Sequence, residues 1–466
     1  MLWSQCAPAR RPLRSVRLLL APPRGAVLRC RSTLKTAGFP PGRGRPQSWI
    51  EGAWGARTAW PPARPAAGPN GASTESVPAP ARQCPNRHRV VTGTIRRRVP
   101  LVAMRILFTV QGQGRGHLTQ ALAAWEILQE GGHELVGVAA GNHPGRELPA
   151  FFTGAFPVPV RVLPSPGFIF RADRGVDLPA TLWHAARHAR TWAESLGRLS
   201  RLIQQTRPDV ILNFFEPLTG VLQLVHAPGV PVLAAAHQFA LLGPEAGAPA
   251  GTPVAAWWLR AFIRLVGCRS WRLALSFRPG SASPRPPRRD RLVVAPPLLR
   301  RRVLELEPTV SDHVLVYVAS HGYGALVRAW HASHDDVRLH CFYDHPGAPR
   351  VERVGPHLTF HQLDADEFLR LMAGGRAVVC TAGFESVCEA AFLGKPVLMV
   401  PLEGHDEQRL NAQDAEGAGL AVAHDDFDLD ALDRLPDRVD TQWFRSWCLG
   451  AGALLLDMVE RVARPA

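Results

Sequence analysis

Residues 105–141, RILFTVQGQGRGHLTQALAAWEILQEGGHELVGVAAG, read as strand, glycine turn, helix and strand in one uninterrupted unit. "RILFTV" is an apolar run of strand length without polar alternation, which suits a strand covered on both faces of a parallel sheet. Leu118, Leu122, Trp125 and Leu128 recur on one helical face, and Gly131-Gly132 stops the helix. "HELVGVAAG" is the second strand. A chain that opens this way is directed to an α/β fold built on a parallel sheet.

The plan repeats. "RPDVILNFF" and "GVPVLAAAH" are further short apolar runs, each led by Pro or Gly. A second series begins near residue 311. "DHVLVYVAS" reads as a strand ending at the turn "HGYG", followed by the strands "VRLHCFYD" and "LTFHQL", the helix "DADEFLRLMAGG" and the strand "AVVCTAG". Then come the helix "FESVCEAAFLG", the strand "KPVLMVPL" and a helical tail, "WFRSWCLGAGALLLDMVERVA". Residues 277–297, rich in Pro and Arg, are the expected linker region. The expectation is two doubly wound, Rossmann-like domains facing a cleft, at 104–300 and 301–466, with the tail packing back across the gap. Ligands of such sheets sit outside the carboxyl ends of the strands.

The formal charge of +15 is uneven: residues 1–103 hold 18 Lys and Arg against Glu51 and Glu75, while the rest holds 36 basic and 37 acidic groups. The high pI therefore belongs to the first hundred residues, and charge gives no reason to expect nucleic-acid binding by the body. Segment 1–103 also carries 15 of the 43 prolines and shows no sustained period. It reads as a disordered Arg/Pro-rich extension ahead of Met104, one that is dispensable or untranslated, a solvated tail, or a targeting segment. Eight scattered cysteines without a CxxC pair suit free thiols in a reducing compartment. No apolar run reaches the roughly 20 residues needed to span a bilayer. The expected location is cytoplasmic, with a peripheral place on the cytoplasmic membrane face as the option.

Gly112, Gly114 and Gly116 stand between the first strand and first helix, where glycine lets backbone N–H groups approach an anion and the helix dipole favours it. The spacing is GxGxG, not GxGxxG, and the second strand ends "AAGN" without an acid for a ribose, which argues against NAD. No GK[ST] follows, which argues against a P-loop. His117 at the helix start is unusual for both classes. The bland alternative is a tight turn with a capping histidine.

"CTAGFESVCEAAFLGKPVLMVPLEGHDEQRLNA", residues 380–412, is the most informative stretch. Gly383 opens a helix, so its N–H and those of Phe384, Glu385 and Ser386 face an anion. Glu385 and Glu389 are four apart and share a helical face. His405, Asp406, Glu407 and Gln408 fall in the loop after the next strand, a polar cluster suited to a polyol.

Here the chain resembles the GT-B glycosyltransferases, nearest the branch of the peptidoglycan enzyme that moves N-acetylglucosamine from UDP to a lipid-linked acceptor, and an uncharacterised bacterial and archaeal family of that type. The resemblance covers about 104–460. It implies a donor nucleotide-sugar held by the second domain: Gly383 at the diphosphate, Glu389 on the ribose hydroxyls, Gln408 with Asp406 or Glu407 on the sugar, and the Ser320–Gly324 loop, with Ser320 and Gly322, near the phosphates. Gly114, Gly116 and His117 would approach the reacting centre from the first domain. "HGYG" departs from the plainer Gly/Ser pair of relatives. The resemblance also suggests inversion.

Such a transfer needs a stabilised leaving diphosphate, a base and an oriented sugar. No convincing DxD metal pair is found; "DAD" (364–366) and "DFD" (426–428) read as ordinary surface-helix positions. His117 is the first candidate base because imidazole titrates near neutrality. Glu216 and His237, each at a strand's carboxyl end, are rivals that read equally well as structural polar residues. The segment 255–271, with Trp257, Trp258, Phe262 and several arginines, suits a membrane-surface helix or a core-packed one. The expected partners are a nucleotide-sugar donor, which the resemblance makes UDP-linked, and a glycan, lipid-linked or small-molecule acceptor, with no separate cofactor. A UDP-sugar 2-epimerase and a non-catalytic nucleotide-sugar-binding subunit are the alternatives.

Overall fold

The computed structural model describes residues 103–142, 147–167, 170–171, 174–176, 178–243, 253–280, 291–318, 322–343, 347–402, 405–424 and 428–464. The first half runs β1 (Arg105–Gln111), α1 (Gly116–Glu130), β2 (Glu134–Asn142), α2 (Ala150–Thr153), β3 (Val160–Pro164), the hairpin β4 (Phe170–Arg171) and β5 (Arg174–Val176), α3 (Leu178–Thr206), β6 (Val210–Phe214), α4 (Pro217–Val225), β7 (Val232–Ala236), α5 (Pro253–Val266), β8 (Trp271–Leu275) and β9 (Leu292–Ala295). The second runs α6 (Arg301–Glu305), β10 (His313–Val318), α7 (Gly322–His331), β11 (Arg338–Tyr343), β12 (Val351–Arg353), β13 (Leu358–His361), α8 (Ala365–Gly374), β14 (Ala377–Cys380), α9 (Phe384–Phe392), β15 (Val397–Met399), α10 (Asp406–Gly417), β16 (Val422–Ala423), α11 (Gln442–Leu449) and α12 (Ala451–Ala463).

Seven strands form each main sheet. The first has the order β3-β2-β1-β6-β7-β8-β9, parallel throughout. The second has the order β12-β13-β11-β10-β14-β15-β16, with only β12 antiparallel. Every residue of β6, β7 and β14 is buried, as expected of parallel strands covered by helices on both faces. The doubly wound α/β reading holds in both halves. The order reverses between β1 and β6 in one sheet and between β10 and β14 in the other, and crevices open at such switch points.

Three local expectations change. β9 lies inside the segment read as linker, because "RLVVAPP" contributes the edge strand of the first sheet. The tail breaks into α11 and α12 at Gly450. The helix of 255–271 stops at Val266, and Arg269 adopts a left-handed backbone (φ 55°) and donates to the Gln223 carbonyl at 3.0 Å.

One packed core passes from one sheet to the other. It contains Phe108, Phe214 and Leu275 of the first sheet, Leu128 of α1, Val387 and Phe392 of α9, and Leu455, Met458 and Val459 of α12. α12 lies on the first half's layer: a Cβ added at Gly131 would meet Leu456, and one at Gly452 would meet Ile127. Trp447 of α11 ties on as well, its indole N–H donating to the Ser276 carbonyl at 3.1 Å.

Candidate active site

β1 ends at Gln111 and the chain turns into α1 through the glycine loop. Gly112 donates its N–H to the Gly141 carbonyl at the end of β2, at 2.6 Å, so a side chain there would strike that oxygen. Gly114 adopts φ 96°, a conformation that favours glycine. Gly114, Arg115, Gly116 and Thr119 line a cleft of about 280 Å³.

The opposite wall comes from the second half. β14 ends at Cys380, the chain turns through Thr381, Ala382 and Gly383, and α9 begins. No side chain caps α9, so the N–H groups of its first turn lack that satisfaction and are available to an anion. Gly383 is extended (φ −79°, ψ 141°), and an added Cβ would meet only ordinary contacts, 3.5 Å from the Thr381 oxygen and 3.7 Å from Ser386 Oγ. The protein itself does not require glycine here; the missing side chain leaves room on the cleft side. Gly383, Phe384, Glu385, Ser386, Glu389 and Gln408 all line the same cleft as Gly114 and Gly116. Tyr317 and Phe368, edge-to-face at 5.3 Å, form an apolar flank.

His117 follows Gly116, is half-buried, and is itself not among the residues lining the cleft. Its ring stacks on Phe215 (5.3 Å, 24°), and its Nδ1 meets Gln120 Oε1 at 3.2 Å. With the amide oxygen as acceptor, this contact suits the Nδ1–H tautomer, in which Nε2 keeps its lone pair. Burial lowers its pKa, opposed by the Gln120 bond and the Glu407 carboxylate. Phe215, which sets the ring plane, has a left-handed backbone (φ 59°).

His237 begins a short 3-10 turn after β7 and is buried between the halves. Its Nδ1 donates to the Leu275 carbonyl at 2.7 Å, and its ring stacks on Phe384 at 4.0 Å. Burial lowers its pKa, against the carboxylates of Asp414 and Glu407. Glu216 is the N-cap of α4 rather than a loop residue. It accepts from the Leu218 N–H at 3.0 Å and from Ser165 Oγ at 2.5 Å. Burial pushes its pKa up to about 7. Neither residue lines the cleft.

The residues expected in a loop at 405–408 belong to a helix. His405 is the N-cap of α10, its Nδ1 accepting from the Gln408 N–H at 3.3 Å, and Asp406, Glu407 and Gln408 form the first turn. Gln408 Oε1 accepts from the Leu402 N–H at 2.8 Å, and Glu407 Oε1 accepts from Gln238 Nε2 of the first half at 2.8 Å. Asp364 of "DAD" is also no ordinary surface position: it caps α8, accepting from Asp366 and Glu367 N–H, and stands on the cleft rim. Gly322 is the exposed first residue of α7 and is not on the cleft wall. Ser320 and His321 lie outside the described residues, as do residues 1–102 and Asp426 and Phe427 of "DFD".

Four contributors escape sequence reasoning. Arg300, at the crossing between the halves, pairs with Glu389. Gln120 donates through Nε2 to Glu385 Oε1 at 2.6 Å, joining α1 to α9. Asn411 of α10 holds the Ala382 carbonyl of the turn before α9 at 3.0 Å. Phe215 sets the plane of His117. Gln120 alone left a usable signal, three residues after His117 on one helical face. On α5, Ile263 and Val266 are buried while Trp257 is 61% exposed and Trp258 41%. No helix among the described residues is long and apolar enough to cross a membrane.

The profile of glycosyl transferase family 1 matches residues 104–439. An uncharacterized glycosyltransferase of Methanosarcina acetivorans is 26% identical over 334 residues, covering 68% of this chain and 82% of the relative. The UDP-N-acetylglucosamine–N-acetylmuramyl-(pentapeptide) pyrophosphoryl-undecaprenol N-acetylglucosamine transferase of Nocardioides sp. is 34% identical over 136 residues, 27% of this chain and 37% of that one. Among solved structures, the calicheamicin glycosyltransferase CalG4 aligns with TM-score 0.49 at 16% identity, over 77% of this chain and 98% of its own. With a family profile spanning most of its length, including the glycine loop, α9 and the first turn of α10, the chain belongs to glycosyl transferase family 1.

Proposed function

We propose that the protein moves a sugar from a UDP-linked donor to an acceptor hydroxyl with inversion and without a metal. The observation that carries this is the uncapped N-terminus of α9 opening into the same cleft as the glycine loop before α1. The donor diphosphate lies against the N–H groups of Phe384, Glu385 and Ser386, where the helix dipole offsets the charge that grows as the sugar–phosphate bond breaks. Glu389 accepts from the ribose hydroxyls. Gln408, with Asp406 and Glu407 on the same turn, orients the sugar.

The acceptor approaches from the first half. Nε2 of His117 takes the acceptor proton as its oxygen bonds to the anomeric carbon and the phosphate oxygen leaves from the opposite face. Lowered basicity keeps the imidazole neutral, and therefore competent as a base, at physiological pH. His237 and Glu216 have their side chains engaged by Leu275, Leu218 and Ser165, and serve the packing around the site. A lipid-linked acceptor would meet the protein beside the exposed Trp257–Trp258 pair.

The test is transfer or donor hydrolysis by the purified full chain over a panel of UDP-, GDP- and dTDP-sugars. Turnover with a UDP-sugar that falls at least a hundredfold in His117→Ala, while Glu389→Ala mainly raises the donor KM, supports the reading. Undiminished turnover in both variants rejects it.

A further inference from the structure

The amide of Gln120 is spent at both ends on the two halves of the site. Its side chain is buried, at 2% exposure. Oε1 accepts from His117 Nδ1 at 3.2 Å, and Nε2 donates to Glu385 Oε1 at 2.6 Å. His117 and Gln120 are three apart on α1; Glu385 stands on α9 in the other half. We propose that Gln120 is a positioning residue for the base: with Glu385 it fixes the His117 tautomer and ring edge, so that a carboxyl group of the nucleotide-binding half orients the base of the acceptor half. This rests on the reading of His117 as the base.

Geometry leaves the ring little freedom. Phe215 stacks on its face at 5.3 Å and fixes the plane. Gln120 then selects which nitrogen carries the proton. If the amide turned end over end, its oxygen would face Glu385 Oε1, which accepts, and its NH₂ would face the imidazole. The present orientation satisfies both neighbours, with Glu385 Oε1 as the acceptor of the Gln120 Nε2–H at 2.6 Å. Burial pushes the Glu385 carboxyl up to about 8. The charges facing the group from neighbouring elements are Glu407 of α10 toward His117, and Glu389 of α9 and Arg300 of the crossing toward Glu385. A histidine whose second nitrogen is held by an amide is oriented as in the better-known carboxylate arrangement, without a full negative charge beside it.

The conservative partner substitution separates this role from packing. Glu385→Gln can present an amide oxygen to Gln120 and preserve the chain; Gln120→Leu and Glu385→Leu break it at either end. The experiment pairs ring ¹⁵N spectroscopy of histidine-labelled full-length protein with steady-state kinetics. The wild type should show His117 protonated on Nδ1 when neutral, and Gln120→Leu should erode that tautomer. Gln120→Leu should lose roughly 10- to 100-fold in kcat, as expected for a group that orients a general base, with the donor KM changed less than threefold. Glu385→Gln should keep His117 protonated on Nδ1, and the Gln120→Leu/Glu385→Leu double variant should erode that tautomer no further than either single.

A wild-type Nε2–H tautomer, or a spectrum unmoved by Gln120→Leu, overturns the proposal whether or not turnover is seen. The melting temperature of each variant shows whether it is folded, and if Gln120→Leu is not, Gln120→Met carries the same comparison. Failure of the underlying reading looks different: His117 keeps the expected tautomer and its response to Gln120→Leu, yet His117→Ala transfers sugar at the wild-type rate.

Discussion

Arg300 grips one oxygen of Glu389 with two nitrogens, Nε at 3.1 Å and Nη2 at 2.6 Å from Oε1. Glu389 is buried and Arg300 half-buried, their side chains 4% and 15% exposed. Arg300 sits where the chain crosses from β9 to α6, and the next residue is held from the other side, Arg301 N–H donating to Glu126 Oε2 of α1 at 2.6 Å. The crossing is thus pinned to α9 by one residue and to α1 by its neighbour. With Oε1 committed to Arg300, Glu389 has its other oxygen for a ligand in the cleft it lines.

If that oxygen holds a ribose, Arg300→Gln should weaken UDP binding roughly tenfold, the scale of one charge-assisted hydrogen bond. The preference for UDP over 2′-deoxy-UDP should shrink toward none. Calorimetric titration of both nucleotides reads this directly. An unchanged preference in the variant would mean that Arg300 supports the fold alone.

Two glycines of the turns before α1 and α9, Gly112 and Gly383, should respond oppositely to alanine. Gly383→Ala meets no clash within the protein and has an ordinary φ, so stability should stay within about 1 kcal/mol while nucleotide affinity falls at least tenfold. Gly112→Ala would place its Cβ 2.6 Å from the Gly141 oxygen and 2.8 Å from Leu148, at a cost of about 1–3 kcal/mol. Urea denaturation and nucleotide titration of both variants check the contrast.

Glu385 makes stability depend on pH with a definite sign. Its carboxyl is raised from 4.5 to about 8 by burial, so between those values the folded chain holds a proton that the unfolded chain releases. Stability must therefore fall as pH rises through that window, by about 1.4 kcal/mol per pH unit from this group. Denaturation midpoints at several pH values between about 6.5 and 8 should show a shallower decline in Glu385→Gln than in wild type. Parallel slopes would show that Glu385 is already ionised in the folded protein.

Glu216 should behave as a cap. Glu216→Ala removes the acceptor for the Leu218 N–H and for Ser165, and should cost about 1–2 kcal/mol of stability. UDP affinity should be unchanged, because the side chain does not reach the cleft wall. A loss of turnover much larger than the loss of folded protein would restore Glu216 to the chemistry.

The doubly wound halves were legible because parallel strands buried on both faces leave continuous apolar runs, such as "RILFTV" and "HVLVYV", punctuated by glycine turns. Gly114, Gly116, Gly383 and Glu389 were legible for a related reason: glycine before a helix, and an acid one turn into it, are local signals. Arg300 was not, since "LLRRRVLE" offers three consecutive arginines and only the path of the crossing decides which one meets α9. Gln120 looked like a helical polar residue until Glu385, 265 positions later, was brought beside it. The 405–408 cluster misled in conformation because "GHDEQ" has the composition of a loop, whereas His405 caps a helix and Asp406 and Glu407 are acids suited to its first turn.

The most direct measurement is a crystal structure of the full chain with UDP bound. The diphosphate should lie within hydrogen-bond distance, about 2.7–3.2 Å, of the N–H groups that begin α9 at Phe384–Ser386, with the ribose on Glu389 and the open end of the cleft toward His117. A nucleotide bound elsewhere, or an α9 terminus left to solvent at saturating UDP, would contradict the proposed catalytic arrangement.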